Sequence, residues 1–223
     1  YRTKYIKSMT QLMKKHYILI TRMFDNQIKA FIKNILMNHP VAYYCYRIEF
    51  QARGMPHLHG VFWLLPEIVQ KFSSNGVFDK KKVCFLIDDW ISCSLDTGDR
   101  KLDQLVKDVN VHHHTKSCKK YGTSCRFHFP KLPSDETLIA CPLSDGMSEE
   151  EKHDKMTKAK HILEKVKSFL IDLKDEDCNL SLTDLLKNLN IDYNEYKEAL
   201  GISQKGEVVV LKRTVNENLV VHH

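Results

Sequence analysis

The stretch that decides the fold runs from Tyr46 to Leu64 and is YRIEFQARGMPHLHGVFWL. Aromatic and β-branched residues over 43–50 predict a strand, the letters ARGMP predict a turn, and residues 57–64 predict a second strand. Side chains alternate along a strand, so His57 and His59 lie on one face while the residue between them faces the core. The stretch therefore predicts a β-hairpin that presents two imidazoles side by side.

A carboxylate on the first strand extends this pair into a candidate metal site. Glu49 precedes His57 by eight positions, across a short turn, and Gln51 is the reserve ligand on the same face. Two imidazoles, one carboxylate and open water positions suit Mg²⁺ or Mn²⁺, and Zn²⁺ can use such a site too. A His-x-His pair on a strand is otherwise a surface or hydrogen-bonded pair. The apolar residues around the pair favour the metal, because buried polar groups need partners.

The remaining chain predicts an α+β fold, with helices packed on an antiparallel sheet. Apolar residues recur at helical spacing over residues 10–38, and Asn38-His39-Pro40 ends that pattern. Ser148 and Glu151 predict a capping box at the start of a helix that continues to Leu173. Further helices are predicted over Lys80–Ser94, Leu102–Val109, Leu182–Leu189 and Tyr193–Leu200, and a strand is predicted in GEVVVLKR, residues 206–213.

Composition sets limits on the function without deciding it. The chain has 223 residues, 43% of them hydrophobic, and a formal charge of +6, which is ordinary for a globular protein and fits a polyanionic partner. The longest apolar runs are too short to span a bilayer and no signal peptide opens the chain, so we expect an intracellular protein without a membrane partner. Seven cysteines, an odd number, favour reduced thiols over a disulfide framework.

A Cys/His-rich loop, VHHHTKSCKKYGTSCRFHFPKLP over residues 111–133, is the second candidate site. The spacing His-x-His-x₃-Cys-x₆-Cys predicts a closed, tetrahedral structural zinc site, with His113 and His128 as possible substitutes. The four predicted ligands are His112, His114, Cys118 and Cys125.

A basic loop that lies against phosphate is the alternative interpretation of this segment, and the two are compatible. Basic grooves with aromatic faces are typical of single-stranded DNA binding. Phe127 and Phe129 either contribute to such a groove or anchor the loop to the core. The predicted DNA contacts are Arg53 in the hairpin turn and, in the loop, Lys116, Lys119, Lys120, Tyr121 and Arg126.

The hairpin motif resembles the second motif of the replication initiator of Helitron-type rolling-circle transposons. That motif has Glu-Phe-Gln, two residues, then Gly-x-Pro-His-x-His, and RIEFQARGMPHLHGVFW keeps this order and spacing. The segments HHHTKSCKKYGTSCRFHFP and VVVLKRTVNENLVVHH are similar to later parts of the same proteins. The resemblance implies an HUH endonuclease domain that nicks single-stranded DNA with a tyrosine nucleophile, with His57 and His59 as metal ligands and Glu49 as the third.

The resemblance also implies a division of the chain and of its parent protein. We expect a partial HUH endonuclease core over 1–109, the Cys/His loop over 110–135, and a helical accessory region over 136–223 that ends in a strand returning to the core. In the family the nucleophile follows the segment that begins LKR, so we expect it beyond His223, before a downstream helicase domain. Tyr193 and Tyr196 are expected to be helix-face residues.

Two functions follow from these expectations. The first is the nuclease part of a transposase, nuclear if the host is a eukaryote, which is inactive as this fragment alone. The second is a zinc-stabilised nucleic-acid-binding module from a decayed or domesticated transposon copy.

Overall fold

The computed structural model describes residues 2–50, 56–74, 76–116, 118–119, 122, 124–173 and 180–222. The chain is an α+β protein and divides into two compact units, Tyr1–Phe78 and Asp79–His223. In the described residues, the strands form three separate two-stranded antiparallel sheets. The functional division at residues 109 and 135 stays a prediction.

The first unit is a long helix followed by the predicted hairpin. Helix α1 spans Arg2–Asn38 and is interrupted at His16, whose backbone leaves helical geometry. It ends at the predicted residue, ahead of Pro40, because a proline disfavours helical backbone in the residue before it. The remaining elements of the unit are strands β1 (Val41–Phe50) and β2 (Pro56–Leu64), helix α2 (Pro66–Lys71), and strands β3 (Ser73–Ser74) and β4 (Val77–Phe78).

The hairpin has the register that alternation predicts. Strands β1 and β2 pair antiparallel, with Glu49 opposite His57 and Arg47 opposite His59. These four side chains therefore share one face of the hairpin. Gln51 and Arg53 lie outside the described residues.

The second unit contains most of the buried apolar side chains. Its elements are α3 (Lys80–Trp90), α4 (Arg100–Leu105), a π-helical turn (Val106–Asn110), β5 (Leu138–Ala140), α5 (Glu149–Asp172), α6 (Leu182–Asn188), α7 (Tyr193–Leu200), β6 (Val208–Val210) and a 3₁₀ turn (Val215–Glu217). Helices α5, α6 and α7 enclose a core in which Val166, Leu185 and Tyr196 are almost fully buried. The Ser148 capping box at the start of α5 is confirmed.

Helix α1 begins before residue 10, where its predicted range started. Three predicted elements of the second unit also differ clearly in length from the observed ones. Helix α3 ends at Trp90, because the backbone of Ile91 is extended and the Ser92 hydroxyl then accepts a hydrogen bond from Ser94 N. The helix predicted over Leu102–Val109 changes to π-helical hydrogen bonding after Leu105. The strand predicted over 206–213 is regular only over Val208–Val210, where it pairs with β5.

Beyond β6, antiparallel backbone pairing continues at a single residue, Arg213. Its backbone exchanges two hydrogen bonds with Ser134, while its buried guanidinium donates to the carbonyl oxygens of Glu217 and Val220 and lies 3.1 Å from Cys93 Sγ. Arg213 therefore fixes the backbone of the C-terminal segment 217–221. Within the described part of the chain, no helix is long and apolar enough to cross a membrane.

Candidate functional site

The hairpin brings its two histidines and the predicted carboxylate together. Glu49 Oε2 lies 3.4 Å from His59 Nε2, and the rings of His57 and His59 are 4.8 Å apart, nearly edge to face. The strand register produces this arrangement, since Glu49 stands directly opposite His57. The three side chains thus lie on one face as a cluster of two imidazoles and one carboxylate, although their ligand atoms do not converge as closely as those of a formed metal site.

A fourth side chain, which the sequence reasoning missed, belongs to the same cluster. Arg47 Nη2 lies 3.5 Å from Glu49 Oε2, so one carboxylate oxygen faces both the guanidinium and His59. The alternation that placed Glu49 on this face also places Arg47 there. The side chains of Glu49 and His59 are about half exposed and that of Arg47 is more so, so water screens these contacts and they add little stability. The cluster is therefore open to solvent.

The second candidate site is a compact group of four ligands in the Cys/His loop. His112, His114, Cys118 and Cys125 place their ligand atoms within 4.8 Å of one another. Cys125 Sγ lies 3.3 Å from His112 Nε2, and Cys118 Sγ lies 3.6 Å from His114 Nδ1. Around a tetrahedral zinc ion, bonds of about 2.3 Å to sulfur and about 2.0 Å to nitrogen separate the two atoms by about 3.5 Å. The residues therefore fit zinc, and no other such group occurs among the described residues.

Backbone hydrogen bonds hold this loop in its ligating shape. Arg126 N donates to Cys118 O and His128 N donates to Cys125 O, each at 2.9 Å. The ring of His112 stacks on Phe129 with centroids 4.5 Å apart. Phe129 is buried with the two cysteines, so it anchors the loop. This agrees with the second of the two interpretations of Phe129, in which it holds the loop to the core. Leu219 packs on the same cluster, and no local sequence signal indicated that contact.

The surroundings of the cluster favour the protonation states that bind metal. Burial raises the pKa of the Cys125 thiol, but hydrogen bonds from the backbone N–H groups of Phe129 and Phe127 outweigh it, so the net pKa lies below the usual thiol value. Burial, and then the nearby charge of Lys119, lower the pKa of His114. Because metals bind thiolate and neutral imidazole, both shifts assist coordination.

Basic side chains lie around the cluster, as the alternative interpretation of the loop requires. Lys116 and Lys119 are exposed and line a shallow pocket with His114. The Arg126 guanidinium lies 4.6 Å above the exposed ring of Phe127. Lys120 and Tyr121 lie outside the described residues. His113 and His128 are exposed and are not members of the four-ligand group.

The two tyrosines of α7 are structural, as expected for helix-face residues. Tyr196 is 1% exposed and its hydroxyl donates to Pro133 O at 2.8 Å. Burial raises the pKa of Tyr196 well above that of a free phenol. The hydroxyl of Tyr193 donates to Asp135 Oδ2 at 3.1 Å.

Comparison with known proteins gives one match. Residues 3–62 match the family model of the Helitron helicase-like domain at the N-terminus. This part of the chain is therefore similar to the Helitron helicase-like domain. The matched range covers most of α1, all of β1 and β2 as far as Phe62, and so includes Glu49, His57 and His59. The Cys/His group lies outside it. No curated protein and no solved structure matches the chain.

Proposed function

We propose that the chain contributes the metal-binding hairpin of a rolling-circle transposase, or replication initiator, that nicks and rejoins single-stranded DNA. The observation that supports it is the placement of Glu49 beside His57 and His59 on an exposed face, inside the Helitron-like range. The proposal includes an HUH-type fold for the complete nuclease domain.

The cluster has the donor set that the reaction needs. Two imidazoles and one carboxylate leave coordination positions open on Mg²⁺ or Mn²⁺, and an ion held there would polarise a scissile phosphodiester. Arg47 adds a cation next to Glu49, which assists the approach of a phosphate. Because the cluster is about half exposed, a nucleic-acid backbone can reach it.

In the proposed reaction, the attacking tyrosine is not one of the residues of this chain. Tyr196 is buried and already donates its proton to a backbone oxygen, so it cannot attack a phosphate without leaving the core. We therefore expect the chain alone to bind metal and DNA without cutting.

Manganese binding tests the proposed site directly. The zinc-loaded chain is titrated with Mn²⁺, and the loss of the free-ion electron paramagnetic resonance signal gives the stoichiometry and affinity. We expect one Mn²⁺ site that His57→Ala and His59→Ala each weaken by about tenfold or more. His161→Ala removes an exposed histidine of α5 and is the matched control. Equal Mn²⁺ binding by all three variants and the unaltered chain would refute the proposal.

A second function, a zinc-stabilised nucleic-acid-binding module, is supported by the four-ligand group. Lys116, Lys119 and Arg126 lie on the loop that this group closes. In this case zinc fixes the shape of the loop, and the basic side chains bind the phosphate backbone of the nucleic acid. Binding of a labelled single-stranded oligonucleotide separates the two functions. The module predicts that Cys118→Ser abolishes binding and that Mn²⁺ has no effect, whereas the nuclease predicts that Mn²⁺ strengthens binding through His57 and His59.

A further inference from the structure

The face of the hairpin opposite the histidines carries a row of aromatic rings. The rings of Tyr44 and Tyr46 are parallel within 2°, with centroids 6.4 Å apart. Phe62, which pairs with Tyr44 across the hairpin, has its ring 6.1 Å from that of Tyr44. Both tyrosines are 42% exposed although they lie on the face turned toward α1. The row is therefore accessible to a flat ligand.

Helix α1 forms the other wall of a groove along this row. Ile32 is buried in it, and Lys29, Lys33, Leu36 and Met37 line its helical side.

The groove between α1 and the hairpin has a volume of about 330 Å³. A cavity of this size lies at the lower end of the range for ligand pockets.

The lysines of the groove give it a positive charge. Lys29 Nζ pairs with Asp25 Oδ2 at 2.6 Å, so its charge is partly compensated. For Lys33, one turn further along α1, the described residues provide no carboxylate partner. An exposed cation beside a row of aromatic rings is the combination that binds a phosphate backbone and its bases together.

We propose that this groove binds single-stranded nucleic acid, with bases stacked on Tyr44 and Tyr46 and a backbone phosphate at Lys33. The proposal rests on the proposed function for the class of its partner, but it assigns a surface separate from the histidine cluster. Two or three aromatic side chains on a sheet face are sufficient to stack successive unpaired bases. The positive wall favours a polyanion over an apolar helix or a second copy of the chain.

Fluorescence anisotropy with a labelled oligothymidine of about 15 nucleotides tests the groove. The zinc-loaded chain is used without added Mg²⁺ or Mn²⁺, so that binding does not depend on the histidine cluster. We expect Tyr46→Leu to weaken binding by about tenfold, and Tyr46→Phe, which keeps the ring, to change it by less than about twofold. Tyr17→Leu, at an exposed tyrosine of α1 outside the groove, is the matched control and should leave binding unchanged.

A lysine variant keeps the test decisive if Tyr46→Leu does not fold. Lys33→Gln changes an exposed helical residue, and we expect it to reduce the dependence of log affinity on log salt concentration by about 0.7. Lys15→Gln, also exposed on α1, should not change that slope. Unchanged binding by both groove variants overturns the proposal. A loss caused by Tyr43→Leu, on the histidine face, with none caused by Tyr46→Leu also overturns it. Neither result depends on Mn²⁺ binding at His57 and His59. Each of the two proposals can therefore be refuted without refuting the other.

Discussion

His112 N donates a hydrogen bond of 2.8 Å to Leu219 O, although the two residues are more than one hundred positions apart in the chain. Val221 N donates in turn to Asn110 O, and Lys131 N donates to Asn218 O. The C-terminal segment 217–221 is therefore bonded to the backbone on both sides of the Cys/His loop. The geometry of the four-ligand group and the position of this segment depend on each other.

Removal of zinc should loosen the C-terminal segment as well as the loop. A structural zinc site contributes directly to folding, so we expect Cys125→Ser to destabilise the second unit by at least about 3 kcal/mol. Hydrogen exchange should rise in residues 110–112 and 217–221 together, because hydrogen bonds join them. Cys45→Ser alters an exposed cysteine outside the group and is the control. Faster exchange in the loop alone would contradict the coupling.

Zinc binding should weaken as the pH falls from about 7.5 to about 5.5. The pKa of His114 is lowered in the fold by burial and by Lys119, so the folded chain binds its proton less readily than the unfolded chain does. The associated stability is present above the unfolded histidine pKa and is lost as the pH falls through that value and the lower folded one. Competition with a chromophoric zinc chelator measures the affinity. His153→Ala, at an exposed histidine of α5, should leave the pH profile unchanged.

Tyr196→Phe should destabilise the second unit by about 1–2 kcal/mol. The substitution keeps the buried ring but removes the hydrogen bond to Pro133 O, which lies in the protein interior. Tyr193→Phe removes a more exposed hydrogen bond to Asp135 and should cost less than about 0.5 kcal/mol. Urea unfolding of the two variants measures the difference, and equal costs would contradict the structural role of Tyr196.

Ser148→Ala should destabilise α5 by about 1 kcal/mol. The Ser148 hydroxyl accepts from Glu151 N, and the Glu151 carboxylate accepts from Ser148 N in return. The variant loses the first of these bonds and leaves an N–H group of the first helical turn without its partner. Ser168→Ala, at an exposed position within α5, should be neutral or slightly stabilising, because alanine has the higher helix propensity. Thermal unfolding of both variants gives the comparison.

The parts of the fold that depend on local periodicity were predicted from the sequence. Alternation gave the face shared by His57, His59 and Glu49, and the spacing of four polar residues gave the complete Cys/His group. Contacts between distant segments were not predicted. Leu219 packs on the cysteine cluster through tertiary contacts that no local pattern encodes, and the strand after Gly206 is short because its partner β5 has only three residues.

The register of the hairpin also determines how sequence changes would affect the histidine cluster. Side chains on a strand alternate with a period of two, so a shift of the β1–β2 pairing by one residue would move Glu49 out of its position opposite His57 and bring a residue of the other face there. An insertion of one residue between the strands could therefore separate the carboxylate from the imidazoles while all three remained in the sequence. A related chain that keeps all three residues but has a different number of residues between the strands is therefore not expected to keep the cluster.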